Sequence, residues 1–232
     1  MVVPIMGHYE NAWQAVVRRV AAAAKACGRA PESVQLLAVS KTFPAEAIRA
    51  VYAAGQRAFG ENYVQEAVAK RAALADLTDV TWHLVGPLQS NKTAQAAVFE
   101  WVESVDRLRI AQRLSAQRPA GLPPLSVCIE VNVSGEASKS GVSPSEALAL
   151  ARTVAELPNL RLRGIMGIPA PTVDSAVARA AFRALARCFH ACRDAGLAVD
   201  TLSMGMSADL ELAIAEGSTE VRVGTAIFGA RN

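Results

Sequence analysis

The sequence predicts a single α/β domain, a closed (β/α)8 barrel of the TIM type with one extra helix in front. Three observations predict it. Short apolar stretches alternate strictly with helix-period stretches, and eight such pairs follow one another. The first apolar stretch, over 34–39, lacks clean alternation, as a strand covered on both faces requires. No linker, low-complexity run or repeat divides the 232 residues, so one domain over 1–232 is expected. An open doubly wound sheet is the alternative. The count of eight and the shortness of the strands favour closure.

Composition narrows the function classes. Hydrophobic residues make up 52% and aromatics only 5%, a mixture that suits many helices packed on short strands. The net charge of +3 comes without a Lys/Arg run, so no nucleic-acid partner is expected. Residues 1–10 carry no basic, apolar leader, and no apolar run approaches the roughly 18 residues of a membrane span. A cytoplasmic protein with no membrane contact follows as the expectation. Cys27, Cys128, Cys188 and Cys192 show no paired metal-ligand spacing. Cys188, His190 and Cys192 at i, i+2 and i+4 of a helix do not aim at one point. They are expected as reduced, small apolar residues, and no metal site is expected.

The elements follow in order. Trp13, Val16, Val17, Val20 and Ala24 share one face of a helix over 9–27, stopped by Gly28. After the first strand, Pro44 opens a helix that Gly55 stops. A second strand over 57–59 precedes a helix over 63–74. A third over 81–85 precedes a helix over 90–99. A fourth over 101–105 precedes a helix over 106–116. A Pro-rich connector leads to the strand over 126–133, where Val127, Ile129, Val131 and Val133 are β-branched. A polar loop over 134–142 follows, then a helix over 144–156 with Ser143 as its N-cap. A sixth strand spans 160–166. The long helix over 174–195 buries Phe182, Leu185, Phe189 and Cys192. A seventh strand spans 201–204, Ser207 caps a helix running to 215, and an eighth strand spans 220–223.

Chemistry in such a barrel sits at the C-terminal ends of its strands. Lys41, one of five lysines, ends the first strand. It is either a side chain reaching solvent or a reactive amine. Glu61 and Asn62 end the second strand, and His83 lies in the third. His83 reads either as a hydrogen-bonded core residue or as a site residue. Ser207 and Gly224-Thr225 follow strands seven and eight, where helix starts offer N–H donors to a phosphate. In Val221-Arg222-Val223, the valines facing out would turn Arg222 inward, where it needs an acceptor such as Glu220 or a ligand atom. A lysine facing a phosphate cup across a barrel mouth fits a phosphorylated carbonyl compound that the amine captures.

Several longer motifs carry a resemblance. They include Leu37-Ala38-Val39-Ser40-Lys41-Thr42, Gly60-Glu61-Asn62-Tyr63-Val64-Gln65-Glu66 and Trp82-His83-Leu84-Val85-Gly86-Pro87. Ser203-Met204-Gly205-Met206-Ser207 and Val221-Arg222-Val223-Gly224-Thr225 belong with them. In series they resemble the pyridoxal-phosphate homeostasis protein family, over nearly the whole chain, with a looser match before strand one. The resemblance implies an alanine-racemase-like barrel. It implies pyridoxal 5′-phosphate held as a Schiff base on Lys41. Ser207, Gly224 and Thr225 would bind the phosphate, Arg222 would meet the pyridine nitrogen, and Met206 would be a further cofactor-binding residue. Asn62 and His83 would line the cofactor face. The implied role is vitamin B6 homeostasis and cofactor supply, with apo-enzymes as acceptors and no assigned catalytic residue.

An arginine can only donate, so it favours an unprotonated ring and weak carbanion chemistry. The expected absence of a second domain after strand eight points the same way. A low-efficiency amino-acid racemase or lyase using the cofactor is the alternative. A cofactor-free aldolase is a third reading. A monomer is expected, and Lys92 and Lys139 are candidates for a secondary cofactor site.

Overall fold

The computed structural model describes residues 5–136 and 139–230. The chain enters through α1 (Ile5–Ala26), whose buried stripe is Val16, Val20 and Ala24. Val17, expected on that stripe, is 37% exposed because it lies off the line that meets the neighbouring helices. The strands are β1 (Gln35–Val39), β2 (Ala58–Glu61), β3 (Thr81–Leu84), β4 (Trp101–Val105), β5 (Leu125–Glu130), β6 (Leu160–Met166), β7 (Thr201–Ser203) and β8 (Glu220–Val223). They close into one parallel barrel in chain order, with β8 pairing back to β1. Closure settles the choice between the two architectures in favour of the barrel.

The covering helices are α2 (Ala45–Ala53), α3 (Val64–Ala73), α4 (Thr93–Ala96), α5 (Leu108–Gln117), α6 (Ala147–Ala155), α7 (Ser175–Asp194), α8 (Leu210–Ala215) and α9 (Thr225–Phe228). Three differ from expectation for local reasons. The helix expected over 90–99 breaks into a 3-10 turn (Ser90–Lys92) and the short α4. Thr93 Oγ1 ties that turn to Ser90 O at 2.9 Å and to Gln117 of α5 at 2.7 Å. Helix α6 starts only at Ala147, so Ser143 is not its N-cap. Instead the Ser143 N–H and hydroxyl both donate to the Glu146 carboxylate and hold a turn there. The strand expected to reach 133 stops at Glu130, with Val131 making only an isolated bridge to Val142.

Strand side chains alternate between two environments. One set, including Phe59, Leu84, Val102, Val127, Val221 and Val223, packs against the helices in the main apolar core. The other set faces the barrel axis. Part of it is apolar, in two small clusters: Leu37, Val39, Ala58 and Val85, and Trp101, Cys128 and Met166. The rest is polar and buried, and includes His83, Glu103, Glu130, Ser203, Glu220 and Arg222. A polar barrel axis under an apolar shell is the feature from which the site is built.

Candidate functional site

At the C-terminal mouth of the barrel lies a cavity of about 270 Å³. Lys41, Asn62, Met206, Ser207, Arg222, Gly224 and Thr225 all line it. These are seven of the eight residues singled out from sequence. The eighth, His83, is wholly buried and does not line it. The correction is one of depth. Val85, two residues further along the same chain and on the same face, takes the place at the mouth.

Lys41 stands on a turn that is held from outside the barrel. Thr42, the next residue, has φ +69°, a left-handed conformation that a β-branched residue adopts only under constraint. Its N–H donates to Glu66 Oε1 at 2.6 Å. Lys70 of α3 donates to the Ser40 carbonyl at 2.8 Å and to Glu61 Oε1 at 2.7 Å. It also pairs with Glu66 at 2.7 Å. Ser40 Oγ donates to Glu61 Oε1 at 2.6 Å. Glu61, at the end of β2, does not line the cavity and instead anchors the turn. Burial pushes the Glu61 carboxyl up, and Lys70 opposes that rise. Lys70 gave no signal in the sequence beyond its i, i+4 spacing from Glu66.

Arg222 reaches the cavity from inside the barrel and is 4% exposed. The expected acceptor Glu220 is not its partner. Nη1 donates to Ser203 Oγ at 2.6 Å and Nη2 to the Gly167 carbonyl at 2.9 Å. Ser203 in turn donates to Glu103 Oε2 at 2.7 Å, and His83 Nδ1 meets Glu103 Oε1 at 2.6 Å. The His83 ring stacks on Trp101, with centroids 4.9 Å apart and planes 7° apart.

Burial alone would raise the Glu103 carboxyl. The bond to His83, the charges of His83 and Arg222, and Ser203 outweigh it and hold Glu103 below its usual range. Burial and the Glu103 charge push Glu220 well up, and both its oxygens lack hydrogen-bond partners. Candidate ligand atoms of His83, Glu103 and Glu220 lie within 4.8 Å of one another. Sequence reading expected no metal group. It missed Glu103 as the centre of this cluster, although the one charged residue in a short strand was the available signal.

The end of the cavity where a phosphate cup was expected is simpler than two capped helix starts. Helix α8 starts at Leu210 with Asp209 before it, so Ser207 does not cap it. The Met206 N–H donates to Asp209 Oδ1 at 2.6 Å and turns the chain first. Ser207 Oγ instead accepts from the Ala226 N–H at the start of α9, at 3.3 Å. A Cβ at Gly224 would lie 3.0 Å from the Val39 carbonyl, so glycine lets α9 start close against the end of β1. Thr225 and Ser207 thus stand side by side at one helix start, on the wall shared with Lys41.

A second cavity, of about 240 Å³, shares Asn62, Val85 and Ile168 with the first. Glu130, Lys139 and Ser140 line it. Lys92 lies in its 3-10 turn and lines neither cavity.

A sequence profile of the alanine racemase N-terminal domain family matches residues 12–232. The pyridoxal phosphate homeostasis protein of Pseudomonas aeruginosa is 62% identical over 218 residues, covering 94% of this chain and 93% of that one. The chain belongs to the pyridoxal phosphate homeostasis proteins, within the alanine racemase N-terminal domain family. Another relative, PipY of Synechococcus elongatus PCC7942, has a structure with PLP bound. It is 41% identical, with a TM-score of 0.80, covering 92% of this chain and 100% of that one. Alanine racemase from Corynebacterium glutamicum is 18% identical with a TM-score of 0.68, covering 94% of this chain and 62% of that one. That likeness shows the shared barrel alone. Among the described residues no helix is long and apolar enough to cross a membrane.

Proposed function

We propose that this chain binds pyridoxal 5′-phosphate in the first cavity and serves vitamin B6 homeostasis and cofactor supply, with residues 1–232 acting as one domain. The observation that carries the reading is the donor set of that cavity. An amine, a guanidinium and two hydroxyls at a helix start line about 270 Å³ together. The relative with PLP bound supports it.

Lys41 would hold the aldehyde carbon. Ser207 and Thr225, whose hydroxyls line the cavity at the start of α9, would hold the phosphate. Arg222 would face the ring nitrogen, and Asn62 and Met206 the ring itself. When bound, the cofactor supplies an electrophilic carbon and an electron-withdrawing ring. The residues around it do three things. The Lys70–Glu61–Glu66 clamp fixes the turn that carries Lys41. The Ser203 and Gly167 acceptors fix the plane of the Arg222 guanidinium. Arg222 itself can only donate, so a nitrogen facing it stays without a proton. That arrangement favours holding the cofactor over carbanion chemistry. Apo-enzymes as acceptors, a monomeric state and a cytoplasmic location belong to the same proposal.

The test is the visible spectrum of the full chain with pyridoxal phosphate, followed by borohydride reduction and peptide mapping. One equivalent fixed at Lys41, and none in Lys41→Ala, is the expected result. A Lys41→Ala protein that keeps the same absorbance and the same reduced adduct overturns the assignment.

A further inference from the structure

The cluster on the barrel axis has a chemistry that cofactor binding does not use. His83, Glu103 and Glu220 are fully buried, and none of them lines the mouth cavity. One candidate ligand atom from each lies within 4.8 Å of the other two. Hydrogen bonds do not use up their polar atoms: His83 Nε2 and both oxygens of Glu220 are buried without a partner. Buried charges are stable when they are paired or coordinate a metal ion. His83 Nδ1 lies 2.6 Å from Glu103 Oε1 and 3.9 Å from Glu220 Oε2. Donors about 2.0 Å from a tetrahedral ion stand roughly 3.3 Å from one another. The two observed spacings straddle that value, so side-chain shifts below about 1 Å bring all three donors to one ion. The imidazole plane is already fixed by its stack on Trp101.

We propose that His83, Glu103 and Glu220 form a structural site for one divalent metal ion of the zinc class. The ion takes the place of the proton between His83 and Glu103, and the second oxygen of Glu220 supplies a fourth contact. One imidazole and two carboxylates suit Zn²⁺ better than Mg²⁺, which prefers oxygen donors and keeps its waters. Two carboxylates balance the two charges of the ion, so the ion and its ligands are neutral as a unit. The three side chains come from β3, β4 and β8, and β8 pairs with neither of the other two strands. The ion therefore ties opposite walls of the barrel together across its axis. The inference goes beyond cofactor binding and does not depend on it.

The experiment is dialysis of the full chain against Zn²⁺ and then against metal-free buffer, with the retained metal measured per chain. A second sample is unfolded in urea and refolded with Zn²⁺, which removes any barrier to entry. One retained equivalent and a higher melting temperature are expected, and excess Mg²⁺ should not displace the zinc. Glu220→Gln should weaken Zn²⁺ affinity, read by competition with a chelator, at least about tenfold, the scale of losing even an outer partner of a metal site. Glu220→Met, an apolar side chain of similar length, serves as the second variant, and thermal unfolding shows that each folds. Cys27→Ser, His8→Gln and His190→Gln together remove exposed donors and should leave retention unchanged. No zinc retained in either sample overturns the proposal and leaves a proton shared by Glu103 and Glu220 as the occupant. Equal affinity in a folded Glu220 variant, or loss of zinc with the exposed donors, overturns it as well. A failure to fix cofactor at Lys41 would overturn the function proposed above and leave this measurement unaffected.

Discussion

Replacing Glu130 with glutamine should stabilise the protein, and the gain should depend on pH. The folded-state value near 7 lies above the ordinary carboxyl value of 4.5, because burial and Asp106 disfavour the charge. A raised acid contributes its full stability below the unfolded value and loses it as pH rises through the folded value. The wild type therefore carries the whole cost of ionising Glu130 above about pH 7 and little of it below 4.5. The gap between 4.5 and about 7, at ~1.4 kcal/mol per pH unit, limits that cost to roughly 3 kcal/mol. Glutamine keeps the shape and has no charge to ionise. Urea unfolding of both proteins at about pH 5 and about pH 8 is the assay. The variant should gain roughly 2 to 3 kcal/mol more at the higher pH. An equal effect at both pH values, or a loss at the higher one, would refute the burial argument for Glu130.

Other outcomes follow from the same geometry. Lys70→Met strands Glu61 in the shell and should cost about 3 kcal/mol in denaturant unfolding. Adding Glu61→Gln should restore much of it, and a Lys70→Met protein as stable as wild type would argue against the clamp. Ser203→Ala removes one of the two acceptors of Arg222 and a donor to Glu103, and should cost about 1 to 3 kcal/mol. It should also lower pyridoxal phosphate affinity in equilibrium dialysis; unchanged affinity would remove Ser203 from the support of Arg222. Gly86→Ala sets a Cβ 2.3 Å from the Asn62 carbonyl, and should lower the melting temperature by forcing the β2 and β3 loops apart. A melting temperature equal to that of wild type would show that the two loops separate freely.

The barrel was legible because its signals are local. Alternating strand and helix patterns, and strands apolar on both faces, are written within short windows. The mouth was legible for the same reason: once strand ends are known, Lys41, Asn62, Arg222 and Thr225 must surround one opening. What escaped depends on depth and on long-range pairing. His83 and Val85 share a face, but one strand step of two residues, about 6.6 Å, separates the interior from the mouth. Glu103 meets Ser203 across 100 positions of sequence, and the register between β4 and β5 shifts between Val102 and Val105. No window of sequence shows either fact. Ser207 lines the mouth cavity without being the cap of α8 that its position suggested. It closes the start of α9, and the Met206–Asp209 turn had no separate mark in the sequence.

The ring stack inside the barrel makes the protein its own optical instrument. Trp101 lies parallel to His83 and is also covered by the Arg163 guanidinium, 4.4 Å from the ring centre. His83 connects through Glu103 and Ser203 to Arg222, so a charge change at the mouth cavity reaches the fluorophore through three hydrogen bonds. With Trp13 and Trp82 replaced by phenylalanine, the remaining emission reports the electrical state of the barrel axis while the mouth fills and empties. A signal from Trp101 that ignores pyridoxal phosphate would show that the axis is insulated from the mouth.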